Sequence, residues 1–176
     1  MLDFSKSYFE LFNLPESFII DSAQLTERYQ ALQRIVHPDR HADTSAQERR
    51  LALQGSSFIN EAWQTLKDPI ARAEYLLARR GAALNKGQNT TSDPEFLLEQ
   101  MELRETLATV ATQPEPYKIL TDIMERLHKM QAKWIAVLSQ ALEDNELVQA
   151  QNAVYKLQFI DRLAHLAEES EDALSH

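Results

Sequence analysis

Apolar side chains recur at intervals of three and four residues along most of the chain, a spacing that places them on one face of an α-helix. In the first half, Asp21 or Ser22 can cap one such helix, and Pro15 ends the helix before it. Pro69 suits a first helical turn and Gly81 suits a helix end. The predicted helices cover residues 8–12, about 22–36, about 45–67 and 69–80.

The second half of the chain has the same periodicity and predicts three more helices. Asp93 and Pro94 suit the cap and first turn of a helix that runs to about residue 111. Another starts near residue 114 or 116 and runs to about residue 142, and Asp144 or Asn145 caps the third. Short connections between three such helices are typical of an antiparallel bundle. Since no segment shows the alternation of a strand, we expect an all-α protein.

A stretch of small and polar residues, GAALNKGQNTTSDP, separates the two helical regions. It holds two of the three glycines of the chain, Gly81 and Gly87, and such composition is typical of a linker. We therefore predict an N-terminal domain of residues 1–80, in which a helical hairpin has short flanking helices. A linker of residues 81–93 and a C-terminal three-helix bundle of residues 94–176 complete the predicted organisation.

The chain has no cysteine, which excludes disulfides, thiol catalysis and any metal or cluster site held by cysteine. His37, Asp39, His41 and Asp43 lie close together, but Pro38 interrupts the helix in which two such histidines could face one metal. The glycine-rich loops that bind ATP or dinucleotides are also missing from the sequence. We therefore expect no metal, no cofactor and no enzymatic activity.

The net charge of −9 is unevenly distributed. Residues 1–80 carry 10 basic and 11 acidic side chains, whereas the rest of the chain carries 8 and 16. Nucleic acids and anionic membranes select clustered lysine and arginine, so we expect neither as a partner. The first residues, MLDFSKSYFE, lack the apolar segment of a signal peptide, and no apolar run reaches membrane-spanning length. We expect a soluble cytoplasmic protein that is a monomer.

The tripeptide His37-Pro38-Asp39 lies between the second and third predicted helices, at the mouth of the hairpin. This arrangement resembles the J domain, whose HPD loop docks on DnaK-type ATPases. The segments YFELFNLP, RYQALQRIVHPDR and INEAWQTLKDPIARAEYLL resemble the HscB family in particular. FLLEQMELRETL and YKLQFIDRL in the second region match the same family, so the resemblance covers nearly the whole chain.

The resemblance implies an ATPase-docking surface on the first domain. Many J domains carry a denser cluster of lysine and arginine there, where this chain has Thr26 and Gln30. That departure favours a dedicated, HscA-like DnaK-type chaperone over general ones. From the residue pattern alone, the same surface also fits an ordinary solvated helix face. The residues that the resemblance assigns to this contact are Arg28, Tyr29, Gln33, Arg34, His37, Pro38, Asp39 and Arg40.

The helix from Pro94 has more apolar surface than one core face needs. At 100° per residue from Phe96, three apolar side chains fall within about 40° and form the predicted core face: Leu103, Leu107 and Val110. A second apolar stripe lies about 100° to 200° away, beside two carboxylates. The resemblance implies that this stripe, its two carboxylates and Phe159 on the last helix bind an IscU-type iron–sulfur scaffold protein. The residues concerned are Leu97, Leu98, Met101, Glu102, Glu105 and Phe159.

On the residues alone, the second stripe also fits a helix that simply has a wide core face, with Phe159 as a satellite of that core. Three functions of different classes therefore remain as alternatives. The first, which we expect, is a co-chaperone that stimulates an HscA-like ATPase and brings it an IscU-type scaffold. The second is a general J-domain protein whose C-terminal bundle binds unfolded clients. The third is a small helical enzyme or metal protein in which the HPD tripeptide is accidental.

Overall fold

The computed structural model describes residues 3–36, 45–85 and 93–175. Its described residues form helices and no strand, which confirms the all-α prediction. The helices of the first half are α1 Tyr8–Leu11, α2 Ser22–Val36, α3 Ala46–Lys67 and α4 Pro69–Arg79. Those of the second half are α5 Pro94–Thr109, a 3₁₀ turn Val110–Thr112, α6 Pro116–Glu143 and α7 Leu147–Leu174.

The chain divides into two compact units, Met1–Leu76 and Leu77–His176. The division falls within α4, slightly before residue 80, where the sequence placed the end of the first domain. In the second unit, the Gln151 side chain on α7 donates hydrogen bonds to the carbonyls of Ala82, at 2.9 Å, and Ala83, at 3.4 Å. The first residues of the predicted linker are therefore held against α7.

The first unit is built around the α2–α3 hairpin, on which α1 and the first part of α4 complete a core. The largest of its fully buried side chains are Phe9, Phe12, Leu25, Ile59, Leu66 and Leu76. Ile35 of α2 is apolar, but it is 61% exposed. It lies about 80° from Leu25 and 100° from Val36 around the helix, so it falls off the buried face.

The second unit is a three-helix bundle in which α5 and α6 both pack on α7. The predicted core face of α5 is confirmed, since Phe96, Leu103, Leu107 and Val110 are all buried. They meet buried side chains of the two longer helices, and Trp134 and Phe159 pack partly buried against them. These partners on α6 and α7 are Leu120, Ile123, Leu127, Met130, Ile160, Leu163 and Ala167.

Side-chain caps begin several of these helices where the sequence predicts them. Asp21 Oδ1 accepts from the N–H groups of Ala23 and Gln24, and Asp93 Oδ1 accepts from those of Glu95 and Phe96. Each carboxylate satisfies donors that have no partner within the first helical turn.

Two helix ends need a residue in the left-handed conformation. Gly81, at φ 77°, ends α4 as predicted, and the next N–H bonds the carbonyl of Leu77 at 2.8 Å. Asp144 or Asn145 was expected to cap α7, and that prediction is wrong. Asp144 is the C-cap of α6. Asn145, at φ 56°, follows it at the end of the same helix, where Glu146 N–H bonds the Ala141 carbonyl at 2.8 Å. Glu146 is the N-cap of α7, without a side-chain hydrogen bond.

Candidate functional site

The residues expected to contact a chaperone ATPase lie on α2 and on the segment that follows it. His37, Pro38, Asp39 and Arg40 lie outside the described residues. The structure therefore bears on the α2 part of the predicted surface, which carries the other four side chains.

Tyr29 and Gln33 join α2 to α3. The Tyr29 ring stacks on Trp63 with centroids 4.6 Å apart, and its hydroxyl donates to Asn60 Oδ1 at 2.9 Å. Gln33 Nε2 donates to the same oxygen at 2.5 Å, and Gln33 Oε1 accepts from the Ser56 hydroxyl at 3.4 Å. Later residues of α2 meet earlier residues of α3, so the two helices are antiparallel. These contacts fix the end of α2 from which residue 37 continues.

Arg28 is half-buried and closes the end of α1. Its guanidinium donates to the carbonyl of Phe12 at 2.8 Å and also to that of Asn13, whose φ of 50° ends the helix. A cation at a helix C-terminus satisfies carbonyls that have no partner in the helix and opposes its partial negative charge. Arg34, by contrast, is exposed. Arg28 therefore has a structural role, whatever it contacts in a partner.

The second apolar stripe of α5 is partly exposed and partly buried. Leu98 is 60% and Met101 53% exposed, while Leu97 is half-buried. Glu102 and Glu105 are exposed beside them. The interpretation of a wide core face is therefore wrong for Leu98 and Met101, which leave an apolar surface edged by carboxylates. We call these four exposed side chains, Leu98, Met101, Glu102 and Glu105, the α5 patch.

Phe159 contributes to the core and to the surface together. It is half-buried, and its ring meets that of Phe96 edge to face at a centroid distance of 6.2 Å. The guanidinium of Arg162 lies 4.4 Å from the Phe159 centroid. The interpretation of Phe159 as a satellite of the core therefore holds in part, because the residue packs, partly buried, against the core cluster.

A buried lysine anchors the start of α5, and sequence reasoning did not identify it. Lys156 is 6% exposed, its Nζ lies 2.6 Å from Asp93 Oδ2, and the same nitrogen lies 3.7 Å from the centroid of Trp134. The hydrogen bond from Lys156 holds the pKa of the Asp93 carboxyl below its ordinary value. A signal was present, since Lys156 precedes the core residue Ile160 by one helical turn and so shares its face.

Two further features concern metals and membranes. Within residues 3–36, 45–85 and 93–175, no three His, Asp or Glu side chains gather in a way that could hold a metal ion. None of the helices that the structure describes combines the length and the apolar character that a membrane crossing requires.

Comparison with protein families matches each half of the chain to one family model. Residues 7–75 match the DnaJ domain, and residues 92–168 match the HSCB C-terminal oligomerisation domain. A co-chaperone protein HscB homolog from Vibrio cholerae is 42% identical over 168 residues, which cover 96% of this chain and 98% of that protein. A homolog of the same name from Shewanella amazonensis is 40% identical over 171 residues, with the same coverage.

Solved structures with the same architecture cover nearly the whole chain. Chaperone HscB from Vibrio cholerae superposes with a TM-score of 0.88 at 41% identity, over 96% of this chain and 99% of the other. Human co-chaperone protein HscB gives a TM-score of 0.90 at 29% identity, over 98% of this chain and 86% of the human one. The Jac1 co-chaperone from Saccharomyces cerevisiae gives 0.74 at 26% identity, over 96% of this chain and 95% of that one.

Proposed function

We propose that this chain, which belongs to the HscB family of J-domain co-chaperones, stimulates the ATPase of an HscA-like, DnaK-type chaperone. The family places it in iron–sulfur cluster biogenesis. In the proposed cycle it also binds an IscU-type scaffold protein and brings it to the chaperone. One molecule that holds both partners raises the effective concentration of each for the other.

The α2 surface and the HPD tripeptide support the ATPase part of the proposal. Tyr29 and Gln33 fix α2 on α3, and Arg34 remains exposed to meet a partner. Proline has a restricted φ angle, and the His37 and Asp39 side chains supply polar groups for pairing with a partner. Hydrolysis of ATP stays in the partner, and we propose no catalytic residue, metal or cofactor for this chain.

The exposure of Leu98 and Met101 is the observation that supports the proposed binding of the scaffold. Their neighbours on the inner face of α5 are buried, and the two carboxylates of the α5 patch flank them. Apolar anchors at the centre of an interface supply most of its affinity, and charges around them select the partner. Leu97 and Phe159, both half-buried, extend this proposed contact at its inner edge.

The acting form is proposed to be a cytoplasmic monomer. The family that matches residues 92–168 is named for oligomerisation, so this part of the proposal needs its own measurement. Light scattering of the purified chain at micromolar concentration is expected to give the mass of one chain. A concentration-independent mass of two or more chains would replace the monomer by an oligomer.

A binding competition tests the scaffold assignment against general client binding. The folded scaffold is expected to bind the full-length chain and to resist displacement by an excess of a denatured, reduced protein. If the denatured protein binds equally well and displaces the scaffold, the chain is a general J-domain protein instead.

Leu53→Ala is a matched control for the scaffold-binding measurements on variants of the α5 patch, because Leu53 is 59% exposed but lies on α3.

A further inference from the structure

Arg126 on α6 contacts two carboxylates on α5. Its Nη2 lies 2.8 Å from Glu99 Oε1, and its Nε donates to the same oxygen at 3.0 Å. The same Nη2 lies 3.9 Å from Glu102 Oε2. Arg126 is thus bound closely to Glu99 and reaches Glu102 at the outer limit of an ion pair.

This arrangement puts a cation at the edge of the α5 patch. Leu98 and Glu102 are four residues apart on α5 and therefore share one helix face. The side chain of Glu102 is 58% exposed, so a partner that covers Leu98 also meets this carboxylate. Because Arg126 lies at the same edge, it lowers the negative potential that such a partner meets.

We propose that Arg126 limits the affinity of the scaffold contact by competing with a basic side chain of the scaffold for Glu102. This inference rests on the proposed function. An unopposed Glu102 would attract an incoming cationic side chain more strongly than a Glu102 shared with Arg126 does. Glu99 is a positioning residue, because its contact holds Arg126 at the edge of the patch.

Two substitutions, one that removes a positive charge and one that removes a negative charge, test the competition and are expected to have opposite effects on scaffold affinity. Arg126→Gln frees Glu102 and is expected to tighten scaffold binding about twofold to fivefold at low salt, as exposed ion pairs are weak. Glu99→Gln leaves Arg126 to pair with Glu102 and is expected to weaken binding by a similar factor. Both differences should shrink at about 0.5 M salt, where exposed charges are screened.

The pair Lys118–Glu115 provides matched controls. Its atoms lie 3.7 Å apart and its side chains are 69% and 70% exposed. Lys118 lies on the same helix as Arg126 but about 12 Å away along the axis, from eight residues at 1.5 Å each. Lys118→Gln and Glu115→Gln change the net charge as the two test variants do, and are expected to leave scaffold affinity within about 1.5-fold of wild type.

The experiment is a calorimetric titration of each full-length variant with the IscU-type scaffold, at two salt concentrations. Leu98→Ala is included to monitor the interface itself. If Arg126→Gln binds as wild type does, binds more weakly, or changes no more than Lys118→Gln, the competition is refuted. If the wild-type chain does not bind, or Leu98→Ala binds as tightly as wild type, the proposed function itself fails.

Discussion

Lys156 Nζ lies 2.6 Å from Asp93 Oδ2 and thereby ties the cap of α5 to the middle of α7. The Lys156 ammonium also lies over aromatic rings, with Nζ 3.7 Å from the ring centroid of Trp134 and 5.4 Å from that of Phe96. Asp93 therefore has two roles, since one oxygen caps the helix that carries the α5 patch and the other binds Lys156.

Lys156→Ala is expected to destabilise the second unit. The substitution removes a buried stem from the aromatic cluster and leaves Asp93 without this cation, so we expect a loss of about 2 kcal/mol or more in unfolding free energy. Urea denaturation followed by tryptophan fluorescence measures it. Lys118→Ala is the control, because that ion pair is exposed and should contribute less than about 1 kcal/mol. Equal stability of the two variants would contradict the anchoring role.

The Asp93 cap should make stability depend on pH in the acid range. Because the folded state lowers the pKa of Asp93 from its ordinary value of 3.8, the stabilisation is present above that value. It is lost as the pH falls through the lowered pKa. Thermal unfolding between pH 6 and pH 2 measures the effect. Asp93→Asn should be less stable than wild type near pH 6, with a difference that narrows toward acid. A constant difference across this range would count against the shift.

The α5 patch and the bundle core should respond differently to truncation. Leu98→Ala and Met101→Ala remove exposed side chains, so each should weaken scaffold binding by about 1–3 kcal/mol with a small change in melting temperature. Leu103→Ala, on the buried face of the same helix, should lose about 2–5 kcal/mol of stability. Phe159→Ala should reduce both quantities, since its ring packs on Phe96. A large stability loss in Leu98→Ala, with scaffold affinity unchanged, would place that side chain in the core.

Substitutions of Arg28 and Arg34 should have different effects: the first on the stability of the first unit, the second on stimulation of the chaperone ATPase. Arg28→Ala removes the hydrogen bonds that close α1 and is expected to lower the stability of the first unit by about 1 kcal/mol. Arg34→Ala removes an exposed charge and should change stability by less than about 0.5 kcal/mol, while reducing chaperone stimulation. Melting curves and steady-state ATPase rates of both variants test this. Full stimulation by a folded Arg34→Ala variant would exclude Arg34 from the docking surface.

Local sequence rules predicted most of the helices because their signals lie within a few residues of each end. Ser45 and Asp93 cap the helices predicted to follow them, and Gly81 ends α4 in a conformation that glycine adopts easily. Asn145 misled the prediction because asparagine suits both a helix cap and a left-handed helix end. Which role Asn145 takes depends on where α6 ends, and no signal within a few residues of Asn145 shows that.

The contacts between helices could not be predicted in the same way. Lys156 lies on the buried face of α7, where a lysine is unfavourable unless a partner meets it. That partner, Asp93, is 63 residues away in the chain. Arg126 and Glu99 are similarly brought together because α5 and α6 both pack on α7. The helical wheel placed the α5 patch on a different side of α5 from the predicted core face, because that angle depends on one helix alone. Whether the patch was also core depended on the neighbouring helices, and the exposure of Leu98 and Met101 decides it.

The ATPase rate of an HscA-like chaperone, measured with wild-type chain or His37→Gln and with or without the IscU-type scaffold, tests the central claim most directly. Wild type should stimulate the ATPase, and the scaffold should raise that rate further than the separate effects of the two proteins combined. His37→Gln should keep its helical content and melting temperature and still bind scaffold, but lose the stimulation. Stimulation by folded His37→Gln equal to wild type, or a wild-type rate that the scaffold leaves unchanged, would contradict the account.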